Sequence, residues 1–245
     1  MAGLIDVFHQ HVMAQLQAIL TEQAEPIEAA AATIADAIAD EKDVYSFGSG
    51  HSELVAKEAM WRAGGLAPFI AIQDHTGGDA ERIEGVAKLI LGHYSLRPGG
   101  VMIVISNSGI NPVPVEAAMT AKGAGLTTVA MCALAHSKDV PARHSSGEKL
   151  YDVADIVIDT HTPRGDTSVK LAQSGLMTGA TSTLAGVFIM DVLTVRAAEI
   201  LDERGIAPPV LVSANVPEGD AHNIALKQKY MPRMARWPVD TADMA

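Results

Sequence analysis

Five short apolar runs recur along the chain between stretches of helical pattern, and this alternation constrains the fold most strongly. The runs lie at 44–47, 69–72, 101–105, 127–132 and 154–158, with helical stretches at 52–63, 79–94 and 112–124 between them. Continuous apolar strands of this length are typical of a parallel sheet that helices cover on both faces. The sequence therefore predicts an α/β fold, a three-layer sandwich around a five-stranded parallel sheet.

Further helices are predicted before and after this core. Residues 4–22 and about 25–40 carry apolar side chains at three- and four-residue intervals. A long helix over about 179–204 and a last one near 220–231 follow the final strand. Because no linker, repeat or low-complexity segment interrupts the chain, we expect one domain over 1–245. Its N-terminal helical extension would be 1–40 and its C-terminal tail 206–245.

Charge and composition argue against several classes of partner. The formal net charge is −11, and the lysines and arginines form no cluster, which is unfavourable for binding a nucleic-acid backbone. No uncharged apolar stretch reaches the roughly 18 residues of a membrane span. A single cysteine, Cys132, leaves no intramolecular disulfide. We therefore predict a cytoplasmic protein with neither nucleic-acid nor membrane partners.

The stretch VYSFGSGHSE leaves the first strand through a turn of glycines and hydroxyl residues. Gly48 and Gly50 permit a sharp turn and a close approach of the backbone to a ligand. Amides at the start of the following helix, with the hydroxyls of Ser49 and Ser52, would form an anion site. His51 lies between them. The turn predicts a site for a phosphate or a carboxylate.

A second turn of the same kind follows the strand at 101–105. It consists of Ser106, Asn107, Ser108, Gly109 and Asn111, and Pro112 or Pro114 would begin the next helix. In an open parallel sheet, ligands bind beyond the carboxyl ends of the strands, so the two turns should converge on one crevice. This pair of turns predicts a phosphate site.

A third hydroxyl cluster precedes the long helix. It contains Thr181, Ser182 and Thr183. A single cluster of this kind is more simply a helix N-cap, so it adds little weight by itself.

Cofactor and metal motifs do not fit the sequence. Glu53 stands where the third glycine of a dinucleotide fingerprint should be, and no phosphate-binding G-x-x-x-x-G-K-[ST] is present. The nine histidines include no HExxH or HxxxH pair. We expect neither a cofactor nor a bound metal.

The stretches FGSGHS, ISNSGINPVPVEAAMTAKGAG and ADIVID, in this order, resemble the sugar isomerase (SIS) domain over about residues 30–205. AKEAMWRAGG and the SAN…HN tail resemble the small-protein branch named for phosphosugar isomerases. The resemblance implies a five-stranded parallel sheet, a homodimer or homotetramer, and hydroxyl loops that close on the phosphate of a sugar. The loop residues carried over are Ser49, Ser52, Ser106, Asn107, Ser108, Thr181 and Thr183.

An aldose–ketose isomerisation requires a base that moves a proton between adjacent carbons and an acid that serves the oxygens. The resemblance implies that a glutamate is the base and that a histidine assists it. Glu58, on the helix that begins at the first turn, is the predicted base, although its spacing to Arg62 also suits a surface ion pair. His51 and His75 are candidate acids, and His222 could come from a neighbouring subunit.

Two other functions remain open at this stage. The same fold resembles etherases that cleave lactyl ethers from muramic acid phosphates, and one glutamate base suits both reactions. A phosphosugar sensor without catalytic activity is the third possibility.

Overall fold

The computed structural model of the protein describes residues 3–234. Five strands form one parallel sheet in the order β2-β1-β3-β4-β5, which confirms the predicted architecture. The strands are β1 (Val44–Gly48), β2 (Phe69–Ile72), β3 (Val101–Ile105), β4 (Thr127–Cys132) and β5 (Ile156–Asp159). The strand order changes direction beside β1, so the turns after β1 and β3 lie next to each other at the carboxyl edge.

Helices lie on both faces of the sheet. They are α1 (Leu4–Glu22), α2 (Ala24–Ala39), α3 (Ser52–Glu58), α4 (Val86–Leu91), α5 (Pro112–Gly123), α6 (Leu134–Asp139), α7 (Leu150–Val153), α8 (Ser182–Glu203) and α9 (Gly219–Tyr230). A short antiparallel hairpin, β6 (Val169–Lys170) and β7 (Met177–Thr178), precedes α8. Single 3₁₀ turns occupy Arg164–Asp166 and Met231–Met234. None of the helices within residues 3–234 is long and apolar enough to cross a membrane.

Alternating side chains of the central strand β3 build the two halves of the core. Val101, Ile103 and Ile105 pack with α2, α3 and α8 on one face. Met102 and Val104 pack with α4, α5 and α7 on the other. Every residue of β3 is buried, as the period of two in a strand covered on both faces requires.

The two N-terminal helices pack on the rest of the same chain. α2 buries Ile27, Ile34 and Ile38 against the sheet and α8. α1 packs more loosely, and Ile5 remains 83% exposed. The homodimer or homotetramer expected from the sequence stays a prediction.

Several element boundaries differ from those expected, and left-handed backbone accounts for two of the differences. The helix predicted over 79–94 begins only at Val86, because Gly77, Gly78 and Gly85 have positive φ and turn the chain. The helix predicted over 52–63 ends at Glu58, ahead of Trp61 at φ 55°. The predicted strand 154–158 is found at 156–159, and the long helix begins at 182 rather than 179.

Two features were not expected from the sequence. The segment 132–153 contains α6 and α7, and 169–178 contains the hairpin β6–β7. Of the predicted tail, 206–245, residues 235–245 lie outside the described part of the chain.

Gln15 on α1 is buried and connects this helix to the segment after β5. Its Nε2 donates to the carbonyl of Thr160 at 2.8 Å and to Oγ1 of Thr162 at 3.2 Å. We expect Gln15→Ala to lower the free energy of unfolding by about 1–3 kcal/mol, because it leaves buried acceptors without a donor. Gln17→Ala, an exposed change on the same helix, is the control in urea denaturation. Equal losses in the two variants would contradict this role of Gln15.

Candidate ligand site

A cleft of about 450 Å³ opens at the carboxyl edge of the sheet, beyond the ends of β1 and β3. Three segments form most of its wall: the turn after β1, the loop between β2 and α4, and the turn after β3. The lining residues are Ser49, Gly50, His51, Ser52, Gly77, Gly78, Asp79, Glu81, Ser106, Asn107, Ser108, Asn111, Asp166 and Ser182. The two turns that the sequence predicts to converge therefore do meet in one cleft.

The turn after β1 requires glycine because its backbone is packed on itself. A Cβ on Gly48 would lie 2.4 Å from the carbonyl oxygen of Ser52. Gly78, from the loop after β2, packs closely against the same turn, because a Cβ there would lie 2.8 Å from Cα of Gly50. The amides of Ser52 and Glu53 donate to carbonyls within the turn. They are not the free donors that the sequence suggests.

Ser49 and Asp74 join the turn after β1 to the loop after β2. The buried Asp74 accepts the hydroxyl of Ser49, and its other oxygen accepts from the amide and hydroxyl of Thr76, at 2.9 and 2.6 Å. Burial alone would raise the pKa of Asp74, but the hydrogen bonds from Ser49 and Thr76 hold it below its ordinary value. Asp74 is therefore a buried carboxylate that fixes the two loops, and the Ser49 hydroxyl donates its hydrogen bond to Asp74 instead of to a ligand.

Some polar side chains of the turn after β3 form hydrogen bonds within the protein, and others are free to contact a ligand in the cleft. Oγ of Ser106 accepts from the amide of Gly109 at 3.2 Å. Asn111 donates to Oε1 of Glu81 at 2.6 Å and accepts from Arg143 at 2.7 Å. Both groups therefore stabilise the turn and its neighbours.

Asn107 and Ser108 are left to face the cleft. Within residues 3–234, the buried Oδ1 of Asn107 has no hydrogen-bond partner. No hydrogen bond in that range engages the amide nitrogens of Asn107 and Ser108, or the hydroxyls of Ser52 and Ser108. The two backbone amides and the two hydroxyls are unpaired donors of the cleft wall, whereas Oδ1 of Asn107 is an unpaired acceptor.

The third hydroxyl cluster already has an anion. Asp166 accepts from the amides of Thr181 and Ser182, both at 2.9 Å, and from Oγ of Ser182 at 2.6 Å. Its carboxylate thereby caps α8, where a negative charge is favoured. Thr181 is 1% exposed and is absent from the cleft wall, whereas Thr183 lines a small recess behind it.

The predicted catalytic residues are separated. His51 lines the cleft. Glu58 forms an ion pair with Arg62, its side chain is 39% exposed, and it is not part of the cleft wall. His75 is exposed outside that wall, and Nε2 of His222 lies 2.9 Å from the carbonyl of Val210, away from the cleft.

Glu81 is a carboxyl group of the cleft that the sequence analysis did not single out. It is half-buried, and burial raises its pKa above the ordinary value, although Arg82 and Arg143 oppose the shift. Because the sequence predicts a helix over 79–94, it does not point to Glu81 as a residue of the sheet edge. The pair Gly77-Gly78 was the available signal that a loop, rather than a helix, follows β2.

Glu84, Glu116 and His144 bring potential metal ligands within 4.8 Å of one another, the one such group in the described chain. Glu84 and His144 have hydrogen-bond partners in the loop that follows α6, whereas the buried Oε2 of Glu116 has none within the described residues. Glu84 accepts from the amide and hydroxyl of Ser145, at 2.6 and 2.8 Å. Nδ1 of His144 lies 2.7 Å from Oγ and 3.2 Å from the amide of Ser146, and its Nε2 lies 3.6 Å from Oε1 of Glu116. The geometry indicates an imidazole–carboxylate contact that holds the 140–149 loop.

The fold and the cleft together define an α/β protein with a ligand site at the carboxyl edge of a parallel sheet. A model of the SIS domain family matches residues 7–133. The chain belongs to this family, as its motifs predicted.

Relatives extend the similarity over most of the chain. A UPF0309 protein from Geobacillus kaustophilus (strain HTA426) is 35% identical over 240 residues, which cover 94% of this chain and 96% of the relative. A UPF0309 protein from Listeria monocytogenes serovar 1/2a is 37% identical over 212 residues, covering 86% and 91%.

Solved structures share the fold at low identity. The Vibrio vulnificus NanR protein complexed with ManNAc-6P aligns with a TM-score of 0.53 and 15% identity, over 96% of this chain and 71% of that one. A phosphoheptose isomerase from Neisseria gonorrhoeae aligns with a TM-score of 0.51 and 16% identity, over 77% and 92%. At such identities the likeness is one of fold.

The raised pKa of Glu81 predicts a pH-dependent effect on stability. When the pKa of a carboxyl is higher in the folded than in the unfolded protein, the free energy of unfolding falls as pH rises from the unfolded pKa to the folded pKa. For glutamate the unfolded pKa is about 4.3. We therefore expect Glu81→Gln to be more stable than the wild type at pH 7, with a gain that shrinks towards pH 4. Urea denaturation across this range measures the difference.

Glu84→Gln is the control, because we expect it to change the stability at pH 7 in the opposite direction. Hydrogen bonds from Ser145 lower the pKa of Glu84, so its removal should decrease stability at neutral pH. A Glu81→Gln variant that is less stable than the wild type at pH 7 would contradict the interpretation of Glu81.

Proposed function

We propose that the cleft binds a phosphorylated sugar, with the phosphate at Ser52, Asn107 and Ser108. The observation that carries this proposal is that the backbone amides of Asn107 and Ser108 and the hydroxyls of Ser52 and Ser108 are unpaired donors of the cleft wall. Phosphate oxygens accept several hydrogen bonds at once, and backbone amides and hydroxyls can supply them without a cation. Membership of the SIS family and the ManNAc-6P complex of the NanR protein support the same class of ligand.

The remaining wall has room and polarity for the sugar. Asp79, Glu81 and His51 lie in the same cleft as the unpaired donors. Hydroxyls of a sugar can donate to carboxylates, so these groups would orient the carbon chain while the unpaired donors hold the phosphate.

We propose aldose–ketose isomerisation as the reaction, with Glu81 as the group that transfers the proton. A base removes the proton from the carbon beside the carbonyl, and the resulting enediol takes it back on the neighbouring carbon. A half-buried carboxyl is suited to both steps, because burial raises its pKa and makes its carboxylate a stronger base than an exposed one. His51 would serve the sugar oxygens. Asn111 holds Glu81 in place through its 2.6 Å hydrogen bond.

Ser108→Ala tests the phosphate end of the cleft. We expect about tenfold weaker binding of a sugar phosphate that the wild type binds, because one hydrogen bond to a charged group is lost. Isothermal titration calorimetry measures the affinity, and Ser174→Ala, an exposed change in the β6–β7 hairpin, is the control. Unchanged affinity in Ser108→Ala would remove Ser108 from the proposed site.

Proton exchange between C1 and C2 of sugar phosphates in deuterated water tests the reaction. If Glu81 transfers the proton, Glu81→Gln should keep its affinity for the sugar phosphate and lose roughly 10²- to 10⁴-fold in exchange rate. Glu58→Gln is the matched comparison, since Glu58 is the base predicted from the sequence. Loss of exchange in Glu58→Gln alone would return the role to that residue.

The other outcomes identify the two alternative functions. Release of lactate from a muramic acid phosphate, without exchange on other sugar phosphates, would indicate the etherase. Tight binding without turnover of any substrate would indicate the sensor.

A further inference from the structure

Asn111 stands at the N-cap position of α5, but its side chain does not cap this helix. An N-cap asparagine ordinarily accepts a hydrogen bond, through Oδ1, from an amide of the first helical turn. In α5 that turn begins Pro112-Val113-Pro114, and a proline has no N–H to donate. The amide of Val113 donates instead to the carbonyl of Glu81 at 3.1 Å. Asn111 is only 5% exposed, so its amide group must find its partners elsewhere.

The side chain of Asn111 connects two charged residues. Its Nδ2 donates to Oε1 of Glu81 at 2.6 Å, and its Oδ1 accepts from Nη1 of Arg143 at 2.7 Å. A guanidinium has donors only, so it binds the oxygen of an amide group and not the nitrogen. The contact with Arg143 therefore turns the NH₂ group of Asn111 towards Glu81.

The segment 140–149 holds Arg143 in this position. The backbone amide of Arg143 donates to the carbonyl of Ile110 at 3.0 Å, and the amide of Ser145 donates to Glu84 at 2.6 Å. The segment thus contacts both the turn after β3 and the loop that carries Glu81. Arg143 and Glu81 form no ion pair within residues 3–234, so the contact between them runs through Asn111.

We propose that Arg143 is a positioning residue for Glu81 and acts through the amide group of Asn111. The proposal rests on the proposed function, in which Glu81 transfers the proton. A donor that is fixed on Oε1 holds the direction of the carboxylate and favours its ionised form. A base must be ionised before it accepts a proton, so both effects serve the proposed proton transfer.

The charge of Arg143 alone is the competing explanation. Burial raises the pKa of Glu81, and the charges of Arg82 and Arg143 oppose this shift. The other charged or titratable groups near Glu81 are Asp74, which raises the pKa further, and Asp79 and His51 in the same cleft wall. Arg82 is exposed and acts on Glu81 through its charge, so Arg82→Met is the matched control.

A double-mutant cycle on the full-length protein separates orientation from charge. The pKa of Glu81 is measured from the ¹³C shift of its carboxyl group, which Glu81→Gln assigns. Arg143→Met should raise this pKa in the wild-type background, where a positioned donor and a charge are lost together. It should raise the pKa much less in Asn111→Ala, where only the charge is left to lose. Arg82→Met should cause equal shifts in both backgrounds.

Proton exchange on a sugar phosphate that the wild type turns over is the second measurement. Arg143→Met should lower kcat by about tenfold at pH 7, the effect of one hydrogen bond to a charged group, and leave KM nearly unchanged. The acidic limb of the rate profile should move to higher pH, because Glu81 then ionises at higher pH. Arg143→Lys keeps a donor for Oδ1 of Asn111 and should recover part of the rate.

The outcomes distinguish this proposal from the function on which it rests. If Arg143→Met shifts the pKa of Glu81 as much in Asn111→Ala as in the wild type, Arg143 acts by charge alone and the inference is overturned. If the wild type exchanges no proton on any sugar phosphate, the proposed reaction fails, while the titration still decides whether Arg143 orients Glu81.

Discussion

The contact between Ser49 and the buried carboxylate of Asp74 determines the shape of the site. It joins the turn after β1 to the loop after β2, and Thr76 satisfies the second carboxylate oxygen. A charged group that is 3% exposed is tolerated only when its oxygens are hydrogen-bonded. Because the loop is fixed at Asp74, the residues that follow it reach the cleft wall, where Glu81 is half-buried and Asp79 stays exposed.

This arrangement divides the polar residues at the sheet edge into two groups. Ser49, Ser106 and Asn111 use their side chains to hold the loops. Ser182 does the same for the contact with Asp166. Few donors remain for a ligand, and they are concentrated at the turn after β3. The cleft therefore combines a small number of neutral donors, which motivate the proposed phosphate site, with the acidic side chains of Asp79 and Glu81.

The sequence predicted the sheet well because strands covered on both faces leave a strong pattern. β3 is five apolar residues long, and no other regular element accounts for such a run between helices. Short helices next to the cleft were predicted less well. The end of α3 lies ahead of Trp61, whose positive φ is imposed by packing and not by residue type, whereas the glycines before α4 permit positive φ by themselves. Among the residues that line the cleft, the sequence analysis names those of the two turns, including His51, but not Glu81.

The sequence by itself determined which strands form, that the turns after β1 and β3 share one edge, and the family of the chain. Local patterns suffice for these properties, since strand period, glycine turns and hydroxyl motifs are all encoded within a few residues. Only the tertiary structure decided how each polar side chain is used. Ser49 meets Asp74 across 25 positions, and Asn111 meets Glu81 across 30. Whether a hydroxyl holds a loop or remains free for a ligand depends on such distant partners, which no local pattern contains.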